Sequence, residues 1–230
     1  MKLKITFLVA VVVALFGVSA ASASAHLFLA HEYPVLVKGL SLNLQGFEIP
    51  GAVSVCKHAH FMTGEEGGKD PTGPSELLLI HPVYLECSVS IGAVKHVPAA
   101  VLTKGCNYVF HALASSANDG TVDIECEAGK LIEIEVTSIA GCVISVGSQS
   151  GLKTIEYVNL TGKVDVNAKV GSILWKAASA CGLAGTEGTN AKYEEGELTA
   201  VTEINKLTGK PARALSEGFK GGLSDAIMVE

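Results

Sequence analysis

The chain has 230 residues, of which 48% are apolar, 6% aromatic and 17% charged, with a formal charge of −6. An acidic balance and a single arginine, Arg213, exclude a phosphate-reading surface, so nucleic acid and anionic lipid are not expected as partners. The length admits one large β domain or two small ones, with a core able to stand without covalent help.

Lys2 and Lys4 precede an apolar run from Ile5 to Val18, and Ala21-Ser22-Ala23-Ser24-Ala25 then offers overlapping small-x-small cleavage sites. This order reads as a secretory signal peptide over residues 1–25. The run is about 14 residues, short of the roughly 20 a helix needs to cross hydrocarbon. No cysteine stands at the cleavage site for lipid attachment, and Ala226-Ile227-Met228-Val229-Glu230 is too short for a membrane tail. The expected product has no membrane span after cleavage and is secreted. Residues 26–230 read as a single domain, with a soft division near 115–120. Losing Lys2 and Lys4 leaves 15 basic residues against 23 acidic ones.

Helical periodicity is nearly absent beyond the leader, and short runs of β-branched and aromatic residues alternate with polar ones between glycine-rich breaks. The pattern predicts strands at Val53 to Met62, Glu76 to Glu86, Asn107 to Leu113, Thr121 to Glu127, Leu131 to Thr137, Cys142 to Gly147, Thr154 to Val158, Lys163 to Val170 and Gly171 to Ala177. Glu197 to Ile204 and Ala226 to Val229 are weaker candidates. Turns are expected at Asn118-Asp119-Gly120, Ala128-Gly129-Lys130, Ala140-Gly141 and Thr161-Gly162, where a residue tolerates positive φ. Glu65 to Pro74 and Gly182 to Gly196 read as solvated loops. Such spacing predicts an all-β fold, a disulfide-stapled antiparallel β-sandwich or barrel-like sandwich.

All six cysteines, Cys56, Cys87, Cys106, Cys126, Cys142 and Cys181, follow the leader, as suits an oxidising compartment. Spacing alone does not choose among their connectivities, but strand parity narrows the field. A hairpin of 107–113 with 121–127 places Cys106 opposite Cys126, Tyr108 opposite Ile124 and Phe110 opposite Val122, all on one apolar face. A hairpin of 53–62 with 76–87 places Cys56 opposite Cys87, which leaves Cys142 for Cys181. Joining Cys126 to Cys142 is harder, because a meander would put them at opposite ends of strand 131–137.

Two groups of side chains invite a metal. Cys56, His58 and His60 at a period of two would share a strand face, and His81 would lie diagonally across from His60, a possible three-histidine site for zinc or copper. No carboxylate stands nearby in sequence to orient these imidazoles, and histidines near a strand end are more often solvated. The second group is acidic. With 128–130 as a hairpin turn, Glu125 would oppose Glu133 and Asp123 would oppose Glu135, a repulsion that calcium, Lys153, Lys163 or solvent screening could relieve.

Ser150-Gly151-Leu152-Lys153 fits S-x-x-K but lacks S-D-N and K-T-G and a helix to align the pair, so it reads as chance. Gly147-Ser148-Gln149-Ser150-Gly151 carries glutamine where a nucleophile elbow needs serine. Asn159-Leu160-Thr161 is a glycosylation sequon. Trp175, the only tryptophan, is expected in the core; exposed beside Tyr157 or Tyr193 it would instead suggest a sugar platform.

Three segments carry a resemblance: Gly105-Cys106-Asn107-Tyr108-Val109-Phe110-His111, then Gly120 through Lys130, then Cys142 through Thr154. In that order they resemble a group of secreted, cysteine-containing, β-rich proteins of soil actinobacteria that occur as many paralogues and have no established activity. The resemblance covers about half of the mature chain. It implies secretion and a disulfide-stapled β domain and supplies no catalytic residue; His58, His60 and His81 depart from the group's pattern. The expected function is a non-enzymatic binding or structural module of the cell envelope or extracellular space, acting on an extracellular or envelope ligand and without a cofactor. The competing expectation is a secreted metal-binding protein or metal-dependent hydrolase using His58, His60 and His81.

Overall fold

Alternation of apolar and polar residues decides which face of a strand is buried, and in the computed structural model strands make up nearly all of the described chain. The structure describes residues 26–30, 33–41, 44–63, 70–113, 116–160, 163–195, 198–203 and 228–229. The leader at 1–25, residues 64–69 at the start of the glycine-rich loop, and Thr161 and Gly162 lie outside these residues.

In chain order the strands are β1 (Phe28–Leu29), β2 (Leu36–Ser41), β3 (Gln45–Ile49), β4 (Ala52–Met62), β5 (Leu77–Ile91), β6 (Val94–Leu102), β7 (Cys106–Leu113), β8 (Ser116–Cys126), β9 (Ile132–Val136), β10 (Val143–Val146), β11 (Gln149–Leu160), β12 (Lys163–Ala177), β13 (Glu187–Glu195), β14 (Leu198–Glu203) and β15 (Met228–Val229). A 3-10 turn, Ser179–Cys181, follows β12. The expected all-β, disulfide-stapled fold is what forms.

One layer is built from long antiparallel strands in the order β5, β4, β3 with β2, β13 with β14, and β12. β2 and β3 lie end to end along β4, and β13 and β14 lie end to end along β12. The outermost strands of this layer, β5 and β12, are then bridged twice. At one end β6, β9 and β10 connect them, and at the other β7, β8 and β11 do so. The pairings therefore close into two rings that share β4, β5 and β12.

The two bridging groups do not pair with each other, and a seam runs between them. Polar contacts stitch it. Thr103 Oγ1 donates to the Pro82 carbonyl (2.6 Å), the Glu127 amide to the Gly105 carbonyl (2.8 Å) and the Cys126 amide to Ser148 Oγ (2.9 Å). Gln149 does the same for β12. Its Oε1 accepts from the Leu174 amide (2.9 Å) and its Nε2 donates to the Leu174 carbonyl (3.2 Å), between the stretch that pairs with β11 and the stretch that pairs with β10. A side-chain amide thus stands in for a strand neighbour.

The three disulfides are Cys56–Cys87, Cys106–Cys126 and Cys142–Cys181, with sequence separations of 31, 20 and 39. The register expected from parity holds: Cys106 faces Cys126, Tyr108 faces Ile124 and Phe110 faces Val122, while Cys56 faces Cys87.

Several expectations are corrected. Asn118-Asp119-Gly120 is not a turn; Gly120 pairs with Ala112 inside β8, because a Cβ there would stand 2.4 Å from the Tyr157 ring and 2.6 Å from the His111 carbonyl oxygen. Residues 187–195, expected in a loop, form β13, and Gly188 lies beneath the Trp175 indole. β2, β3 and β6 carried no strand expectation. The turn at 127–130, closed by the Lys130 amide on the Glu127 carbonyl with Gly129 at φ +76°, does not fold β9 back onto β8. β8 already has β7 and β11 as neighbours, so the chain crosses the seam and β9 joins β6 and β10.

Candidate functional site

The inward faces of both rings meet at the middle of the molecule without filling it. A cavity of about 80 Å³ remains there, walled by Phe61, Phe110, Val122, Ile134, Leu152 and Ile173 among other apolar residues drawn from both rings. Packing leaves it because the wall combines small and aromatic side chains across a junction of two curved layers, and space this size in a native core is uncommon. Phe61 and Phe110 also line a second, smaller and wholly apolar void toward β1, so their rings form the partition between the two.

One wall of the larger cavity is polar. Tyr84 on β5, Tyr108 on β7, Tyr193 on β13 and Gln45 on β3 all line it. The Tyr84 and Tyr108 hydroxyls are 2.8 Å apart, Tyr84 donates to the Tyr193 hydroxyl at 3.4 Å, Tyr193 donates to Gln45 Oε1, and Gln45 Nε2 donates to Ser41 Oγ. In the Tyr84–Tyr108 pair either hydroxyl can be the donor. The five groups make one connected network of hydrogen bonds. Burial pushes the Tyr84 phenol well above its ordinary range, and the neighbouring Tyr108 and Tyr193 phenols push it the same way. Among the described residues no Lys, Arg, His, Asp or Glu lines the cavity. The wall is polar and uncharged.

The three histidines are placed as follows. β4 alternates with Ala52, Ser54 and Cys56 inward, then skips: Lys57 and His58 are both exposed, and Ala59 and Phe61 take up the inward phase. Opposite them Leu85 and Glu86 are both exposed and Glu86 has φ +52°. The phase shift puts Cys56 on the inner face and His58 and His60 on the outer one, which corrects the expectation of one shared face. His81 does lie diagonally across from His60, since His60 pairs with Val83 and Met62 with His81. It is 3% exposed and its Nδ1 is 3.0 Å from the Cys106 carbonyl oxygen, whereas His58 lies on the surface with Nε2 3.8 Å from Glu86 Oε1. Among the described residues no three His, Cys, Asp or Glu side chains are grouped to hold a metal ion.

The acidic oppositions do not arise, because β8 and β9 are not neighbours. Glu125 pairs with Asn107, Glu133 with Leu102 and Ser145, and Glu135 with Ala100 and Val143. Asp123 is instead engaged by a cation-capable neighbour and a backbone donor: Oδ2 is 3.0 Å from His111 Nε2, and Oδ1 accepts the Gly151 amide at 2.6 Å. Ser150 to Lys153 lies within β11, at a register shift with Gly151 at φ +69°. Trp175 is 4% exposed, its Nε1 donating to Asn190 Oδ1 at 3.3 Å, and Tyr157 is 1% exposed, so the exposed platform that would favour sugar binding is not formed.

Sequence reasoning missed the chamber's polar wall. Gln45 and Tyr193 sit on strands with few apolar residues, β3 and β13, and Tyr84 gained meaning only once the phase shift at 57 and 86 turned it inward. The signal available was Tyr108, already placed on the apolar face by the Cys106–Cys126 register.

Fold and chamber together define a class: an antiparallel, disulfide-stapled β barrel-like sandwich with an apolar cavity whose described lining is uncharged. No family model matches the chain, and neither a curated protein nor a solved structure matches it.

Proposed function

We propose that the protein is exported and works outside the cytoplasm as a non-enzymatic binding module that holds a small molecule in the chamber between its two rings. One observation carries this reading: a mostly apolar cavity of about 80 Å³ with a hydrogen-bonded group running from Tyr108 to Ser41 along one side. Ligand sites combine mostly apolar walls with a few convergent polar groups, and this cavity has that composition at a size below the drug-like range. Three disulfides accord with an oxidising compartment. Among the described residues no helix is long and apolar enough to cross a membrane.

The test is titration of the purified, disulfide-intact protein with xenon, a probe small enough for the chamber, followed by NMR shifts of the lining side chains and paired with Ile134→Phe, which fills the chamber. Saturable binding by the parent and none by the variant is expected. Failure of xenon and of methane to bind the parent would overturn the reading.

A further inference from the structure

The inward phase of β4, Ala52, Ser54 and Cys56, buries one hydroxyl among apolar groups. Ser54 is 3% exposed and belongs to the lining of the chamber. It pairs with Phe47 on β3 and Val89 on β5, beside the pair that Gln45 makes with Cys56. The phenols and the Gln45 amide of the lining bond to one another and to Ser41. The Ser54 hydroxyl, by contrast, has no hydrogen-bond partner among the described residues. A buried hydroxyl left in that state is costly, and a molecule in the chamber can relieve the cost. Because a hydroxyl both donates and accepts, it can serve either kind of polar group on a guest.

Charge and size narrow the guest further. Among the described residues the lining carries no charged side chain, so an ion would give up its water without gaining a counter-charge. An apolar cavity of about 150 Å³ accepts benzene with its six ring carbons, so a chamber of about 80 Å³ takes about three heavy atoms. Water alone would satisfy the hydroxyl but leave the apolar wall wet. A guest with a short apolar tail meets both, and each methylene moved from water onto the wall is worth about fourfold in affinity.

We infer that the chamber takes neutral aliphatic molecules of about three heavy atoms with one polar end, the size class of ethanol and acetonitrile, and that the polar end hydrogen-bonds to the Ser54 hydroxyl. This rests on the reading of the chamber as the binding site. Ser54 does not distinguish a donor from an acceptor. It favours a single polar atom at the end of a short apolar body.

The experiment titrates the intact, oxidised protein with ethanol and with propane, which have the same number of heavy atoms, and follows NMR shifts of the lining side chains. Both probes are expected to saturate the parent and neither to saturate Ile134→Phe. Ser54→Ala should weaken ethanol about tenfold relative to propane, the worth of one buried hydrogen bond. Its urea midpoint should not fall, because the hydroxyl holds no other part of the fold. Propane binding without ethanol, an ethanol-to-propane ratio unchanged by Ser54→Ala, or a lower midpoint in that variant would overturn the role of Ser54 and leave the chamber as the site. Absence of binding by both probes would overturn both.

Discussion

Gly120 shows how one residue fixes a strand. Asn-Asp-Gly is a turn signal by its local chemistry, yet here the glycine is required by what lies above it: the Tyr157 ring and the His111 carbonyl occupy the space of a side chain. Tyr157 in turn donates its hydroxyl proton to that carbonyl (3.2 Å) and meets Phe28 edge-on with ring centroids 5.4 Å apart. Gly120→Ala is expected to lower stability by about 1–3 kcal/mol or more, since one of the obstacles is backbone and cannot rotate away; urea unfolding at fixed pH measures it. The buried phenols give a pH prediction. Burial raises the pKa of both Tyr84 and Tyr157. Above the ordinary phenol value of about 10 the folded protein keeps protons that the unfolded chain releases, so stability falls as pH climbs through that value and beyond. Urea midpoints from pH 8 to 11 should decline, and less steeply in Tyr84→Phe. At this scale the sequence was legible where a residue's own pattern decides, as with Tyr108 and the six cysteines. It was illegible where a neighbour distant in the chain decides, as at Gly120.

Elements were legible in proportion to how strongly their alternation is apolar. β4, β7, β9 and β10 follow their predicted segments closely, and β12 runs unbroken through two predicted strands. β6 contains Pro98, a residue that normally argues against a strand with neighbours on both sides; it is tolerated with His96 in the left-handed region nearby, and the Pro98 carbonyl still accepts from the Thr137 amide and hydroxyl. β13 buries Ala191 and carries mostly polar residues on a strand flanked by β12 and β3, so periodicity alone had little to report. The metal expectation for His58, His60 and His81 assumed unbroken parity, and the paired irregularity at Lys57 and Glu86 breaks it. Two predictions belong here. Gln149→Ala should cost about 1–3 kcal/mol by leaving the Leu174 amide and carbonyl without their side-chain partner, and hydrogen exchange at Leu174 should speed up more than at its neighbours. Replacing Cys106 and Cys126 together by alanine should cost about 3 kcal/mol, since a loop of this length is what the bridge closes, as read by the thermal midpoint of otherwise oxidised protein.

At the scale of the molecule, the predicted class, a stapled β-sandwich or barrel-like sandwich, is what the strands build. The sharing of β4, β5 and β12 by two rings was beyond reach of a reading that takes strands one at a time, because it depends on one long strand having two partners along one edge. The chamber follows from this junction and was invisible for the same reason. The two rings also divide the chain in an unexpected way. One ring uses β3, β4, β5 and β6 with β9, β10, β12 and β13; the other uses β2, β4, β5 and β7 with β8, β11, β12 and β14. Each takes four strands from before residue 115 and four from after it. A fragment ending at residue 115 should therefore show no cooperative unfolding transition, and mixing it with the remainder should restore one, by circular dichroism. Timing is the wider consequence. The first of these rings cannot close until β13 has been made and the second until β14 has, so neither is finished while the strands beyond residue 186 are missing. A polypeptide built this way stays an open thread until those strands emerge, and a thread is the form in which a chain can be drawn through a narrow channel before it takes its shape on the far side.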